Sequence, residues 1–289
     1  MKLRSADLRL PGAAQAAEFM DRIWGTPRVA TQGGTHYLRG TGSHPYIYSL
    51  TEAAGRGTGP ITFAGTPDEV AAVKARAKAA GARLRESASF DVPGGGAGFE
   101  LEGPEGQVYR LIEDGAALPA ADDRDRPVQI THVVLNCRDV AKLEQFSTGI
   151  LGFRISDRTK MMTFVRCNRK HHCLAYAHSD VSTLNHVAFE MASTDAVMKG
   201  LARMREAGLD TVWGPGRHGP GNNVFNYFIA PFGAVIEYTA EVSEVDEHYK
   251  VGAPEDWKWP PGRIDHWGIS VKDTAKIGAA ERLWTFAPF

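Results

Sequence analysis

Apolar and polar residues alternate along short segments of the chain, and stretches with helical spacing separate these segments. Residues 129–136 alternate in this way, and His132 shares one face of the predicted strand with the apolar residues two positions away. Apolar residues then recur at helical spacing over 140–150, which predicts a helix. Short strands, a second strand and helix, and a hairpin turning at 231–233 complete this half. The pattern β–α–β–β–β therefore occurs twice within it.

The two halves of the chain repeat one pattern at a constant offset in residue number, the offset that leads from Phe19 to Phe146. The other matching positions are Ile23-Trp24-Gly25 with Ile150-Leu151-Gly152, Asp68 and Val70 with Asp195 and Val197, and Pro104-Glu105-Gly106 with Pro231-Phe232-Gly233. One offset shared by four stretches indicates an internal duplication. We therefore predict an α+β fold of two tandem domains, each built from two βαβββ modules. The predicted divisions are a first domain at 1–115, a linker at 116–127, a second domain at 128–245 and a tail at 246–289.

Composition narrows the class of protein. Lys and Arg total 33 against 34 for Asp and Glu, and this balance argues against binding of nucleic acid through its phosphates. No apolar run approaches the ~20 residues of a membrane span, and the N-terminus lacks the apolar region of a signal peptide. Three cysteines are too few for a disulfide framework and favour a reducing, cytoplasmic location. Ten histidines make nitrogen and oxygen ligands more plausible than sulfur in any metal site.

Two histidines and one glutamate recur at matching places in the second half. His132 and His186 lie in the first strands of its two modules, and Glu237 lies in its last strand. If the modules curl into a cup, two imidazoles and one carboxylate meet on one wall. Such a set leaves coordination positions open and suits non-haem Fe(II) oxygenases.

The first half serves as an internal control for this set. A purely structural role for the three residues would more naturally occur in both halves of a duplicated chain. The offset of the duplication matches His132 with Ser5, Glu237 with Arg110 and His186 with a position near Gly59, where a slip of one position is possible. These positions do not form the same ligand set, which favours a metal site in the second half.

A tyrosine is placed opposite the candidate glutamate by the hairpin. Tyr227 lies five residues before Phe232, at the centre of the turn, and Glu237 lies five residues after it. In a symmetric hairpin the two side chains share one face. Tyr227 could therefore reach a substrate oxygen beside a metal.

The second half resembles the type I extradiol ring-cleaving dioxygenases of the vicinal oxygen chelate superfamily, whose fold is also called glyoxalase-like. The stretches that carry the resemblance, over about residues 128–240, are Ile130-Thr131-His132-Val133-Val134-Leu135-Asn136, Cys167-Asn168-Arg169-Lys170-His171-His172-Cys173-Leu174-Ala175, Leu184-Asn185-His186-Val187-Ala188-Phe189, Gly216-Arg217-His218-Gly219, and Asn226-Tyr227-Phe228 before Pro231-Phe232-Gly233 and Glu237. The first half resembles the metal-free domain of that family only in pattern.

The resemblance implies Fe(II), less often Mn(II), bound by His132, His186 and Glu237. It also implies that His172, rather than His171, handles protons beside bound oxygen. Strand alternation would place these two neighbouring histidines on opposite faces. His218, in a predicted loop at 214–221, and Tyr227 would hydrogen-bond the substrate.

The expected reaction is extradiol cleavage of a catecholic substrate by O₂ in aromatic catabolism, by a homo-oligomer. Two alternatives stay open: a glyoxalase-like metal-dependent isomerase or transferase, and a non-catalytic small-molecule binding protein. The tail carries Trp257, Trp259 and Trp267 and is expected to be irregular. It would pack against the domain or a neighbouring subunit, or cover the substrate as a lid.

Overall fold

The structure, a computed structural model, describes all 289 residues and contains two eight-stranded sheets. The first sheet consists of β1 (Lys2–Leu10), β2 (Arg28–Gln32), β3 (Thr35–Leu38), β4 (Tyr48–Glu52), β5 (Gly57–Gly65), β6 (Leu84–Ser87), β7 (Gly98–Glu102) and β8 (Val108–Glu113). The second consists of β9 (Gln129–Cys137), β10 (Arg154–Arg158), β11 (Met162–Arg166), β12 (Leu174–His178), β13 (Thr183–Glu190), β14 (Trp213–Arg217), β15 (Val224–Ile229) and β16 (Val235–Ala240). The helices are α1 (Ala13–Phe19), α2 (Pro67–Ala79), α3 (Val140–Phe146), α4 (Thr194–Glu206) and α5 (Thr274–Glu281).

Both sheets have the same strand order, which is β2-β3-β4-β1-β5-β8-β7-β6 in the first and β10-β11-β12-β9-β13-β16-β15-β14 in the second. Each sheet joins two βαβββ modules through the antiparallel pair of their first strands, β1 with β5 and β9 with β13. The predicted α+β architecture of paired modules is therefore confirmed. None of the helices is both long enough and apolar enough to cross a membrane.

The offset between the halves holds for whole elements. The pairs β1 and β9, α1 and α3, α2 and α4, and β8 and β16 all begin and end at positions that the same offset relates. The predicted helix at 140–150 is more complicated than its spacing indicated, because α3 ends at Phe146 and a π-helical turn, Ser147–Leu151, follows. Gly152, at a φ of 74°, ends that turn in the left-handed region that glycine adopts without strain.

Equivalent arginines tie the two halves together. Arg203 of α4 donates from Nε to the carbonyl of Ile23 at 2.9 Å, in the π-helical turn of the other half. Arg76 of α2 donates to the carbonyl of Ile150 at 2.8 Å, in the matching turn. Buried apolar residues from both halves form one continuous core between these contacts. The halves are therefore joined by a reciprocal contact as well as by residues 116–127, whose role as a domain linker stays a prediction.

The tail at 246–289 is more ordered than its composition predicted, because it contains α5 and pairs with both sheets. The amide of Thr58 in β5 donates to the carbonyl of Thr285 at 2.7 Å, and the amide of Leu184 in β13 donates to that of Trp284 at 2.9 Å. Ile277 of α5 packs against aromatic residues of β14 and β15. The tail therefore packs against the second sheet and hydrogen-bonds to one of its strands.

The reciprocal contact is open to a stability test. Replacing Arg203 by Met removes charge-assisted, partly buried hydrogen bonds to two carbonyls, and we expect the free energy of unfolding to fall by about 2–3 kcal/mol. Urea denaturation followed by circular dichroism measures this change. Arg205→Met is the matched control, since Arg205 lies on the same helix but is exposed and pairs only with Asp210. Equal stability of the two variants would contradict a role of Arg203 in joining the halves.

Candidate metal centre

Three neighbouring strands, β9, β13 and β16, carry the three predicted ligands. The register pairs Ala188 of β13 with His132 on one side and with Glu237 on the other. His186 precedes Ala188 by two residues and so points to the same face of the sheet. The strand register alone therefore brings two imidazoles and one carboxylate together.

The ligand atoms of these three residues converge on one point. One nitrogen or oxygen from each of His132, His186 and Glu237 lies within 4.8 Å of the others. The Nε2 atoms of both histidines are 3.1 Å from Oε2 of Glu237. Oε1 of Glu237 is buried without a hydrogen-bond partner, and Nε2 of His218 is 3.8 Å from it. Two imidazole nitrogens and an incompletely satisfied carboxylate fit a divalent metal ion.

Burial and the neighbouring histidines together determine the charges of His186 and Glu237. Desolvation lowers the pKa of His186 to about 4, against the opposing effect of Glu237. Burial alone would raise the pKa of Glu237, but His132, together with hydrogen bonds from the surrounding histidines, lowers it well below its ordinary value. Neutral His186 beside ionised Glu237 is the protonation state that metal binding requires.

The first half uses the equivalent positions differently. Its strand register matches His132 with Ser5 and Glu237 with Arg110, as predicted, and it matches His186 with Pro60, next to the position expected. Arg110 forms ion pairs with Asp7 and Glu100, at 3.3 and 2.8 Å. An internal ion pair therefore replaces the candidate ligand set in this half.

Tyr227 and His218 lie side by side at the candidate centre. The register pairs Tyr227 with Glu237, as the spacing about the turn predicted. The Tyr227 hydroxyl is 3.0 Å from Nε2 of His218 and 3.4 Å from Nε2 of His186. Burial, and then the nearby Glu237 carboxylate, raises the pKa of Tyr227 well above its ordinary value, so this hydroxyl is protonated and can donate a hydrogen bond.

The segment that carries His218 differs from the predicted loop at 214–221. Its first part is β14, which pairs with β15, and His218 follows directly after the strand. Phe225 stacks on the His218 ring at a centroid distance of 4.0 Å, and Trp213 stacks on Tyr227 at 4.9 Å. These aromatic contacts hold the two polar side chains toward the centre.

His172 also reaches the centre, and its ring centroid is 4.2 Å from that of His132. The predicted alternation of His171 and His172 on opposite faces is wrong, because both residues precede β12 and lie outside any strand. Their Nδ1 atoms are 3.0 Å apart, and both rings are buried. Burial, then His132 and His171, lowers the pKa of His172 well below its ordinary value, so this ring is neutral.

Sequence reasoning missed several polar residues around the centre. Asp157, fully buried in β10, contacts Nε2 of His171 at 2.6 Å. Asn185 contacts Nδ1 of His186 through its oxygen at 2.6 Å and donates to Asn136 at 2.8 Å. Asn185 is adjacent to His186 in the sequence, and this could have indicated a hydrogen-bond partner for that histidine. No spacing in the sequence indicates that Asp157 contacts His171.

Comparisons with known proteins identify a family for the second half of the chain. The sequence of residues 129–238 matches the protein family described as the Glyoxalase/Bleomycin resistance protein/Dioxygenase superfamily. Metapyrocatechase 2 of Cupriavidus necator is 30% identical over 168 residues, which are 55% of this chain and 50% of that protein. The chain spans about half the length of the curated relatives that it matches.

Solved structures extend the likeness to both halves. A Mn(II)-bound glyoxalase from Novosphingobium aromaticivorans is 33% identical with a TM-score of 0.87, over 95% of this chain and 93% of that one. A variant of homoprotocatechuate 2,3-dioxygenase from B. fuscum has a TM-score of 0.83 over 95% of this chain and 80% of that one, and at 19% identity it supports the fold alone.

The fold and the convergent ligand set define a protein of the vicinal oxygen chelate class. The chain belongs to the Glyoxalase/Bleomycin resistance protein/Dioxygenase superfamily.

Metal binding can be tested through stability. Mn(II) at about 100 times its dissociation constant should raise the free energy of unfolding by about 2.7 kcal/mol. His132→Ala removes one of the three candidate ligands and should abolish this gain. His178→Ala, an exposed histidine at the end of β12, is the control and should keep it. Thermal denaturation with and without Mn(II) gives the comparison, and an undiminished gain in H132A would exclude His132 as a ligand.

Proposed function

We propose that this chain is an Fe(II)-dependent extradiol dioxygenase, which cleaves the ring of a catecholic substrate beside its two hydroxyls and incorporates both atoms of O₂. One observation carries the proposal. Three candidate ligands, the ring of His172 and the hydrogen-bonded pair of Tyr227 and His218 surround a single point. The curated relatives named metapyrocatechase 2 and 2,2′,3-trihydroxybiphenyl dioxygenase, at about 30% identity, support the same class of enzyme.

His132, His186 and Glu237 would hold the metal. Bound there, Fe(II) supplies a chelation centre for both substrate oxygens, lowers the pKa of a bound hydroxyl and provides redox chemistry toward O₂. A two-histidine, one-carboxylate set is typical of non-haem Fe(II) oxygenases, and Mn(II), present in the glyoxalase structure, is the second choice.

The remaining side chains would handle protons and orient the substrate. No protein group hydrogen-bonds Nε2 of His172, which is therefore available to take a proton from a substrate hydroxyl. The protonated Tyr227 hydroxyl and His218 Nε2 are a donor and an acceptor beside the metal ligands. They would hold the substrate in one orientation, which lowers the entropic cost of reaction with O₂.

A metal-dependent glyoxalase is the second candidate, and the glyoxalase structure favours it because the likeness covers both chains almost completely. That reaction is an isomerisation and consumes no O₂. The two candidates are therefore separated by oxygen uptake. Assembly as a homo-oligomer and location in the cytoplasm stay predictions.

The proposal predicts consumption of one O₂ per catechol by the Fe(II)-loaded protein, with a yellow ring-cleavage product. An oxygen electrode and absorption spectroscopy measure both quantities. A panel of catechol, 3-methylcatechol and 2,3-dihydroxybiphenyl identifies the preferred ring substituent. Conversion of a hemithioacetal without oxygen uptake, and no reaction of any catechol, would favour the glyoxalase instead.

His172→Phe tests the proton-handling role within the same assay. We expect it to retain the metal, because His172 is not among the candidate ligands, and to lower kcat by about 10²–10⁴-fold. His178→Phe, at the exposed end of β12, should keep the kcat of the wild type. Ring cleavage at the wild-type rate in H172F would remove His172 from the mechanism.

A further inference from the structure

The first half contains a cavity at the place that the candidate metal centre occupies in the second half. Its volume is about 340 Å³, within the range of about 300–1,000 Å³ in which small-molecule sites occur. Pro60 and Arg110 line this cavity, and the strand register matches them with His186 and Glu237. The half that lacks the candidate ligand set has therefore kept room for a small molecule.

Polar side chains from neighbouring strands line the cavity. The register places Tyr37 of β3 and Asp7 of β1 on either side of Ser49 of β4, so the three side chains share one face of the sheet. Two residues further along these strands, the hydroxyls of Thr35 and Thr51 are 2.9 Å apart. Hydroxyls and a carboxylate on one wall suit a hydrophilic ligand, because each can form a hydrogen bond with it.

The carboxylate of Asp7 is incompletely satisfied within the protein. The residue is 9% exposed, Nη1 of Arg110 is 3.3 Å from Oδ2, and Oδ1 is buried without a hydrogen-bond partner. Burial raises the pKa of Asp7 despite the opposing effect of Arg110, so this guanidinium offsets the cost of burying the carboxylate only in part. A ligand that donates a hydrogen bond to Asp7 would supply the missing donor.

The charges around the cavity favour a cationic ligand over an anionic one. All three guanidinium nitrogens of Arg110 donate to Asp7 or Glu100, so none is free for an anion. Two carboxylates thus share this one largely buried guanidinium. Arg85, which also pairs with Glu100, is more than half exposed and is screened by solvent. Arg9, the other arginine of the lining, is exposed as well.

We propose that this cavity binds a small hydroxylated ammonium compound, whose charge pairs with Asp7 and whose hydroxyls hydrogen-bond Tyr37 and Ser49. An ammonium group supplies both the donor and the positive charge that Asp7 lacks. Burial, and then Asp7, raises the pKa of Tyr37, so its hydroxyl keeps its proton and can donate to the ligand. None of the candidate metal ligands lines the cavity, so the proposal is independent of the reaction at the metal centre.

Sugars that share one ring separate the charge classes of ligand. Glucosamine in its ammonium form is cationic, glucose is neutral and glucuronate is anionic, and isothermal titration calorimetry gives Kd for each. The amine 2-aminopropane-1,3-diol and its neutral counterpart glycerol form a smaller pair. We expect each amine to bind about tenfold more tightly than its neutral counterpart, and glucuronate not to bind. No binding of either amine, or equal or tighter binding of glucose or glucuronate, would overturn the proposal.

Asp7→Asn locates the binding, since it keeps the size of the side chain and removes its charge. We expect the affinity for glucosamine to fall about tenfold in D7N, and about threefold in S49A, which loses only a hydroxyl. Asp68→Asn changes an exposed carboxylate at the start of α2, outside the cavity, and is the matched control. His132→Ala should also keep the affinity, because it changes the metal centre alone.

The variants decide between this cavity and any other place of binding. Wild-type affinity in D7N, or in S49A should D7N not fold, would overturn the assignment to the cavity. Loss of binding in H132A would place the amine at the metal centre instead and would overturn it too.

Discussion

The buried carboxylate of Glu237 is the charge on which the rest of the site depends. It has no accessible surface, and its ion-pair partners are imidazoles alone. Burial of a carboxylate is costly unless an opposite charge accompanies it, and hydrogen bonds from imidazoles offset that cost only in part. A divalent metal ion held by the same residues would supply an opposite charge.

The first half carries the opposite charge at the position equivalent to Glu237, and it neutralises that charge with its own residues. Arg110 occupies the position of Glu237 on an equivalent strand, and Asp7 and Glu100 neutralise it within the protein. Contacts that join the halves, such as those of Arg76 and Arg203, recur at the offset of the duplication, whereas the candidate ligands do not. The duplication therefore repeats the scaffold, whereas the candidate ligand set occurs in the second copy alone.

The sequence was sufficient for those features that depend on local periodicity. His132, His186 and Glu237 lie in regular strands, where alternation determines the face, and the symmetric hairpin placed Tyr227 opposite Glu237. Alternation failed for His171 and His172 because they precede the strand.

Contacts between distant segments could not be predicted from local pattern. Asp157 meets its partners across 14 residues to His171 and 95 residues to Gly252, and no periodicity encodes such pairs. The helix α5 was missed within the irregular-looking tail for a related reason. Its apolar face consists of Ile277 and Ala280 alone, which is too short a pattern to predict a helix. These residues are buried by packing against the aromatic residues of β14 and β15.

The tail contributes hydrogen bonds to residues around the candidate centre, a role beyond that of a lid over the substrate. Tyr249 and Gly252 donate hydrogen bonds to Asp157, which contacts Nε2 of His171. Glu281 of α5 accepts a hydrogen bond from Asn136 at 3.3 Å, and Asn136 in turn accepts one from Asn185, the partner of His186. Two separate chains of hydrogen bonds thus begin at the centre and end in the tail. The partners of metal-binding histidines fix the orientation of those rings, so the tail would influence a metal bound at the centre without contacting a ligand directly.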